Sequence, residues 1–356
     1  MSTAPSARSG GPSSGSGFLR DCLVCPDHAS PLEPPSGHDP ASGMPWPDGE
    51  IRCSEGCVFP VEQGIPRFVE RDNYAAAFGL QWRRFRRTQL DSHTGVPLSQ
   101  RRLERCLGMT LDELRGKKVL EVGSGAGRFT ELLVAHCDSV VSADLSDAVD
   151  ANLENCMDIS PYLLVQADLR KPPFRANTFD VVICLGVIQH TPDPEQTIAT
   201  LAAELRPGGR LVIDHYAYRA DRFGALLAFF SVHTPLRWIA KRLSPVAGLR
   251  LTSAYHRISD PIRRRTCRYK QLDRLVARIF ATSCYYETIP ELPPEICREW
   301  NELDTHDSLT DWYQHKRKPE QIHATLERLG FVNIWCEKGH RGGNGIEAHA
   351  ELGRGS

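Results

Sequence analysis

The central and C-terminal parts of the chain alternate short apolar runs with stretches of helical periodicity. Apolar runs at 118–122, 139–143, 163–166, 179–184 and 210–214 read as five strands. Helical patterns such as 128–136 separate them, so the expected units are βαβ and the sheet is parallel. Two further runs, 332–336 and 345–349, predict a terminal strand pair. Between the fifth strand and that pair lies a long insertion, roughly 217–318, mostly helical in pattern. Residues 71–116 are polar and helical in pattern, and residues 1–20 are Ser-, Gly- and Pro-rich without an apolar core, as in a disordered tail. The expected organisation is a tail over 1–20, a small module over 21–70, a helical extension or lid over 71–116 and an α/β domain over 117–356. No internal repeat is visible.

Composition leaves this picture in place. The chain has 356 residues, 41% hydrophobic and 24% charged, with a net charge of -1. A dedicated nucleic-acid binder carries a strong basic excess, which is missing overall. The run Arg263, Arg264 and Arg265, with Arg268 and Lys270, reads as a solvated helix face or as a local phosphate contact. No apolar run approaches the roughly 18 residues of a membrane span. The longest, 223–232, reads as a buried helix rather than a membrane-surface segment. No secretory leader is evident. The 12 cysteines show no regular disulfide framework, which points to a cytoplasmic compartment with reduced thiols.

Gly123, Gly125 and Gly127 follow the first α/β strand and open a helix. Glycines let the backbone turn sharply and let an anionic group lie against main-chain N–H donors. The G-x-G-x-G spacing differs from the G-x-G-x-x-G of dinucleotide enzymes, which disfavours a dehydrogenase. Glu121 ahead of the loop would repel a phosphate and could pair with an ammonium, so a zwitterionic amino-acid cofactor is favoured. Asp144 ends the second strand, where a carboxylate can hold two ribose hydroxyls. Asp168 follows the third, where it can accept from an adenine amino group. Alternatively, both acids are helix N-caps.

Val119-Leu-Glu-Val-Gly-Ser-Gly-Ala-Gly-Arg128, Ala143-Asp-Leu-Ser146, Gln166-Ala-Asp168, Phe179-Asp-Val-Val182, Gly186-Val-Ile-Gln-His190 and Leu205-Arg-Pro-Gly-Gly-Arg-Leu211 resemble the ordered motifs of class I methyltransferases. The branch is similar to the methyltransferase type 11 group of ubiquinone and menaquinone biosynthesis. The resemblance is strong over about 117–214. It implies a Rossmann-like seven-stranded sheet with helices on both faces, a final antiparallel hairpin, and S-adenosylmethionine as cofactor. It places Glu121, Gly123 and Gly125, with Ser124 and Gly127, at the methionyl part. Asp144 and Leu145 fall at the ribose, Asp168 and Leu169 at the adenine, and Leu185 and Gly186 beside the transferring methyl.

The N-terminal module carries Cys22, Cys25, His28, Cys53 and Cys57. Two close groups of ligands separated by a loop suit a tetrahedral structural zinc site, and so small a module needs such a staple. It resembles the zinc ribbon of a small tRNA-methyltransferase activator, also found fused before methyltransferase domains. That resemblance implies Cys25 and His28 as the first pair; the alternative is Cys22 with Cys25. Four of the five residues would bind the ion, or the module is a metal-free remnant.

Methyl transfer needs the nucleophile held in line, and a base only where the nucleophile carries a proton of high pKa. His190, after the fourth strand, is the first candidate base, or else a cap-like or packing histidine before Thr191-Pro192; His215 and Tyr216, after the fifth, are others. Residues 78–82 with 84–91 could form a lid. The segment 304–313, rich in acids with a His and aromatics, reads as a non-helical stretch on the insertion that covers the substrate pocket; the alternative for both segments is helix caps and domain packing. The favoured function is methylation of a small-molecule acceptor at O, N or C. The alternatives are an RNA-modifying methyltransferase and a non-catalytic cofactor-binding protein. The RNA reading is weakened by the lack of an Asn/Asp-Pro-Pro-Tyr tetrapeptide.

Overall fold

The structure is a computed structural model that describes residues 18–19, 21–34, 46–70, 76–159, 162–218, 232–280, 282–339 and 345–354. Most of the expected tail, and residues 223–231 of the longest apolar run, lie outside these.

The five expected parallel strands form: β5 (Lys118–Val122), β6 (Ser139–Asp144), β7 (Leu163–Gln166), β8 (Phe179–Cys184) and β9 (Leu205–Ala217). The residues of β5, β7 and β8 are almost all buried, because helices cover both faces and no solvent face is left to demand polar alternation. The terminal hairpin, β11 (Phe331–Lys338) and β12 (Gly345–Leu352), is antiparallel, and β12 pairs with β9. The spatial order is β11-β12-β9-β8-β5-β6-β7. An eighth strand, β10 (Lys316–Arg317), pairs in parallel with β9 at Tyr216 and Ala217. It extends the seven-stranded expectation: two residues carry no period-2 pattern to read.

The N-terminal module is a four-stranded antiparallel sheet of β1 (Leu32–Glu33), β2 (Gly49–Cys53), β3 (Val58–Glu62) and β4 (Ile65–Pro66). It is less separate than its composition suggests. Leu23, Ile51 and Val61 share one hydrophobic cluster with Leu120, Val141 and Phe179 of the large sheet. After β4 the chain runs along the open edge of β7, where the Phe68 N–H donates to the Gln166 carbonyl at 2.8 Å. A sheet edge is thereby covered. Arg67, buried, donates to the Gln166 side chain at 2.8 Å and to Asp150 at 2.7 Å.

Eleven α-helices are described. α1 (Ala76–Arg84), α2 (Asp91–Thr94) and α3 (Leu98–Leu107) form the polar extension. α4 (Thr130–His136), α5 (Ala148–Cys156) and α6 (Pro194–Glu204) flank the sheet. α6 starts where the Asp193 carboxylate accepts from two backbone N–H groups and Pro194 fills the first turn. The insertion supplies α7 (His233–Ala240), α8 (Pro245–Thr266), α9 (Lys270–Phe280) and α10 (Pro294–Thr310); α11 (Pro319–Arg328) precedes the hairpin. The expected non-helical segment at 304–313 is corrected here: α10 continues to Thr310. Asp, Thr, Ser and His are poor helix formers alone, but Leu303, Thr305, His306 and Leu309 are buried by tertiary packing, which overrides propensity.

Candidate functional site

A cavity of about 730 Å³ opens at the carboxyl ends of the parallel strands. One side is the glycine loop. Gly123 and Gly125 adopt φ of 76° and 52°, which side-chain-bearing residues rarely reach. A Cβ on Gly123 would fall 2.0 Å from Cγ2 of Val187. Ser124 lines the cavity with its buried Oγ unpartnered. Asp144 also faces it. Its Oδ2 accepts from the Gly125 N–H at 2.8 Å, and its Oδ1 accepts from the Ser146 N–H and hydroxyl at 2.8 and 2.7 Å. Three donors fix the carboxylate against the loop, so its role is more than a helix cap. Leu145, Leu169, Leu185 and Gly186 line the same wall.

Three expected cofactor residues sit elsewhere. Glu121 does not line the cavity. It is buried behind the loop, where Oε2 accepts from the Thr130 and Ser142 hydroxyls at 2.6 and 2.8 Å. Burial pushes its carboxyl up to about 7 despite those two bonds. Its place is to brace strand, loop and α4 rather than to meet an ammonium. Gly127 packs against α5, where a Cβ would fall 2.7 Å from Sγ of Cys156. The Asp168 carboxylate is held by Arg170, with an Nη2–Oδ2 distance of 2.6 Å, and faces a crevice beside Phe174; only its neighbour Leu169 reaches the cavity.

The opposite side combines His190, Tyr216 and the insertion. His190 Nδ1 lies 3.1 Å from the Tyr313 carbonyl and 3.0 Å from Oδ2 of Asp311. Both are acceptors, so Nδ1 carries the proton. The carbonyl takes the aligned hydrogen bond, and the buried carboxylate acts through its charge. Nε2 is left as an acceptor, with the Tyr216 hydroxyl 3.3 Å away. Burial opposes charging of the ring. Asp311, Asp307 and the Tyr313 carbonyl outweigh it and hold His190 above the ordinary imidazole range. Asp307 itself is pushed up to about 6 by burial, against the pull of His190. Tyr216 is raised well above a free phenol by burial and the surrounding acids. His215 is turned away, because neighbours on a strand face opposite sides. It does not line the cavity, and burial lowers it to about 4.

Phe78 and Trp82 of the expected lid line the cavity, as do Asp304, Asp307 and Ser308 of α10. Sequence reasoning missed Arg128, Tyr285 and Trp300. Arg128 lies 5.1 Å from the Trp300 ring centroid, donates to Ser99 at 3.0 Å, and has no carboxylate within ion-pair distance among the described residues. Its signal was its position directly after Gly127. Beneath, Arg102 pairs with Asp214, whose Oδ1 accepts from the Gly186 N–H at 2.6 Å. This buried pair holds the turn after β8.

In the N-terminal module the five metal candidates resolve. The ligand atoms of Cys25, His28, Cys53 and Cys57 lie within 4.8 Å of one another. The three sulfurs are 3.6, 3.6 and 3.5 Å from His28 Nδ1. Tetrahedral zinc with ordinary Zn–S and Zn–N bonds places S and N about 3.6 Å apart, so the donor set fits that ion. Cys22 is outside the cluster: its Sγ points to the Leu19 carbonyl at 3.5 Å, and burial raises its thiol to about 12. The module is tied to the segment after β7. The Val24 N–H donates to the Pro173 carbonyl at 2.9 Å, and the Arg175 N–H donates to the Cys22 carbonyl at 2.8 Å.

Among known proteins, residues 120–213 match the methyltransferase type 11 family model, described as a methyltransferase domain. A ubiquinone biosynthesis O-methyltransferase of Coxiella burnetii is 33% identical over 100 residues, 28% of this chain and 43% of that protein. One from Idiomarina loihiensis is 29% identical over 155 residues, 40% of this chain and 62% of that protein. The chain thus spans less than half the length of the first relatives it matches. Among solved structures, magnesium protoporphyrin IX methyltransferase from Synechocystis PCC 6803 with bound SAH is 14% identical, with a TM-score of 0.43, over 78% of this chain and 96% of that one. A methyltransferase from Methanococcus maripaludis described as S-adenosyl-L-methionine-dependent has 14% identity and a TM-score of 0.40, over 81% and 98%. Residues 120–213, with their strand order and glycine loop, are a class I methyltransferase domain.

Proposed function

We propose that the protein transfers a methyl group from S-adenosylmethionine to a small-molecule acceptor. The observation that carries this reading is one continuous cavity, walled by the glycine loop and Asp144 on one side and by His190, Tyr216 and α10 on the other. The residues fit the cofactor. The glycine cradle leaves room where a Cβ would not, the Ser124 hydroxyl is free, and Asp144 is preset for a ribose diol. Gly123, Ser124, Gly125, Asp144, Leu145, Leu169, Leu185 and Gly186 would hold it. When bound, it supplies an electrophilic methyl on a sulfonium.

The chain's own groups then do three things. Trp82, Phe129, Tyr285 and Trp300 exclude water and confine a flat or apolar acceptor. Arg128, which burial and nearby Arg102 pull down to about 10, offers a charge that an anionic substituent would relieve. His190 Nε2 takes the proton of an acceptor hydroxyl or amine, and the resulting imidazolium is stabilised by Asp311 and the Tyr313 carbonyl. The Tyr216 hydroxyl packs beside that nitrogen and turns its proton to Asp307 Oδ2, 3.5 Å away, which leaves the Nε2 lone pair to the acceptor. Zinc held by Cys25, His28, Cys53 and Cys57 would be structural, since four protein ligands leave no open position. Its thiolate ligands suit the reducing, cytoplasmic compartment expected from the cysteine content.

The test is calorimetry with S-adenosylmethionine and its demethylated product, followed by transfer of labelled methyl to a phenol and amine panel. Binding lost in Asp144→Ala is expected. Absence of binding to either compound overturns the proposal.

A further inference from the structure

The insertion is chemically unlike the rest of the chain. Residues 232–280, spanning α7, α8 and α9, hold twelve Lys and Arg against two Asp. That is a formal excess of ten positive charges within a chain whose total is -1. Arg250, Arg257, Arg265 and Arg274 are exposed and have no carboxylate within ion-pair distance among the described residues. The same 49 residues hold eleven of the eighteen exposed large hydrophobic side chains among the described residues. Trp238 is 58% exposed, Ile258 65% and Leu275 55%. On α9, Leu272, Leu275 and Ile279 make an exposed stripe at i, i+3 and i+7, while Val276 faces inward.

Basic residues interleaved with exposed Leu, Ile, Trp and Tyr on amphipathic helices are the chemistry of an interfacial membrane anchor. Phosphate attraction alone would explain the arginines but not the aliphatic stripes, which gain nothing from a nucleic-acid backbone. A second copy is disfavoured, because a two-fold contact would set two strongly basic faces against each other. No helix of the described residues is long and apolar enough to cross a membrane, so the contact is with the surface.

We infer that α7–α9 form a docking face for an anionic lipid bilayer. The face belongs to the same insertion that supplies Tyr285, Trp300 and Asp304 to the cavity. The inference does not rest on methyl transfer and stands if no acceptor is found.

The experiment is co-sedimentation of the full chain with vesicles of phosphatidylcholine, with and without about one third phosphatidylglycerol. Bound protein is expected to rise at least about tenfold with the anionic lipid and to fall as salt rises towards roughly 0.5 M. The variant Leu272→Ser/Leu275→Ser/Ile279→Ser should lose most binding with an unchanged thermal midpoint. Arg257→Glu/Arg265→Glu/Arg274→Glu should lose the preference for anionic lipid. Equal recovery on both vesicles, or none on either, overturns the inference. So does a large drop in thermal midpoint in the serine variant, which would mean the stripe packs within the chain. A dimer abolished by that variant, or single-stranded RNA binding that outcompetes the vesicles, overturns it in favour of a second copy or a nucleic acid.

Discussion

The Nδ1 atom of His190 stands 3.0 Å from Oδ2 of Asp311, a buried carboxylate just beyond α10 that also pairs with Arg237. The pair joins the loop after β8 to the insertion and makes the histidine a stronger base than a free imidazole.

A base loses activity as pH falls through its pKa. Because His190 is held above the ordinary imidazole value of 6.5, the acid limb of kcat/KM should lie above that value. Asp311→Asn removes the stabilising charge and should move the limb down by about one pH unit. His190→Ala should lower kcat about 10²- to 10⁴-fold with cofactor affinity unchanged. A pH–rate profile identical in wild type and Asp311→Asn counts against the pairing.

Gly123→Ala introduces a methyl at a φ of 76° and 2.0 Å from Val187. Loss of calorimetric binding of S-adenosylmethionine, with a lower melting temperature, is expected. Adding Val187→Ala should relieve the clash but not the backbone strain, and so restore stability only in part.

Glu121 is raised from 4.5 to about 7, so the folded state holds its proton more tightly than the unfolded one. Stability from this group is present below the unfolded value and lost as pH rises from there through about 7, by up to about 3 kcal/mol. Glu121→Gln keeps an acceptor for Thr130 and Ser142 but does not ionise. Its melting temperature should fall less between pH 4.5 and 7.5, roughly the window of that shift; parallel curves would refute the burial argument.

Metal analysis should find about one zinc per chain, lost in Cys53→Ser and kept in Cys22→Ser. Chelation should also weaken cofactor binding several-fold, about 1 kcal/mol, because the Val24–Pro173 bond holds the segment after β7 that carries Leu169. Cofactor affinity unaffected by chelation would separate the module from the site.

Local pattern was enough for some of this. The apolar runs at 118–122 and 179–184, short and rich in Val and Ile, read as buried strands and form them, and the glycine spacing with Asp144 marks what becomes one wall of the cavity. Cys25, His28, Cys53 and Cys57 could be named only as four of five, since spacing alone does not tell which sulfur turns inward; folding sends Cys22 to the Leu19 carbonyl. Glu121 and His215 looked functional because residue type and position along the chain were right. Whether a side chain faces a cavity or a core depends on strand alternation and on what packs above it, and both residues face away. The partners of His190 come from the far end of the insertion. Long-range contacts of that kind leave no periodic trace, and burial in the folded chain sets the proton affinity of that site.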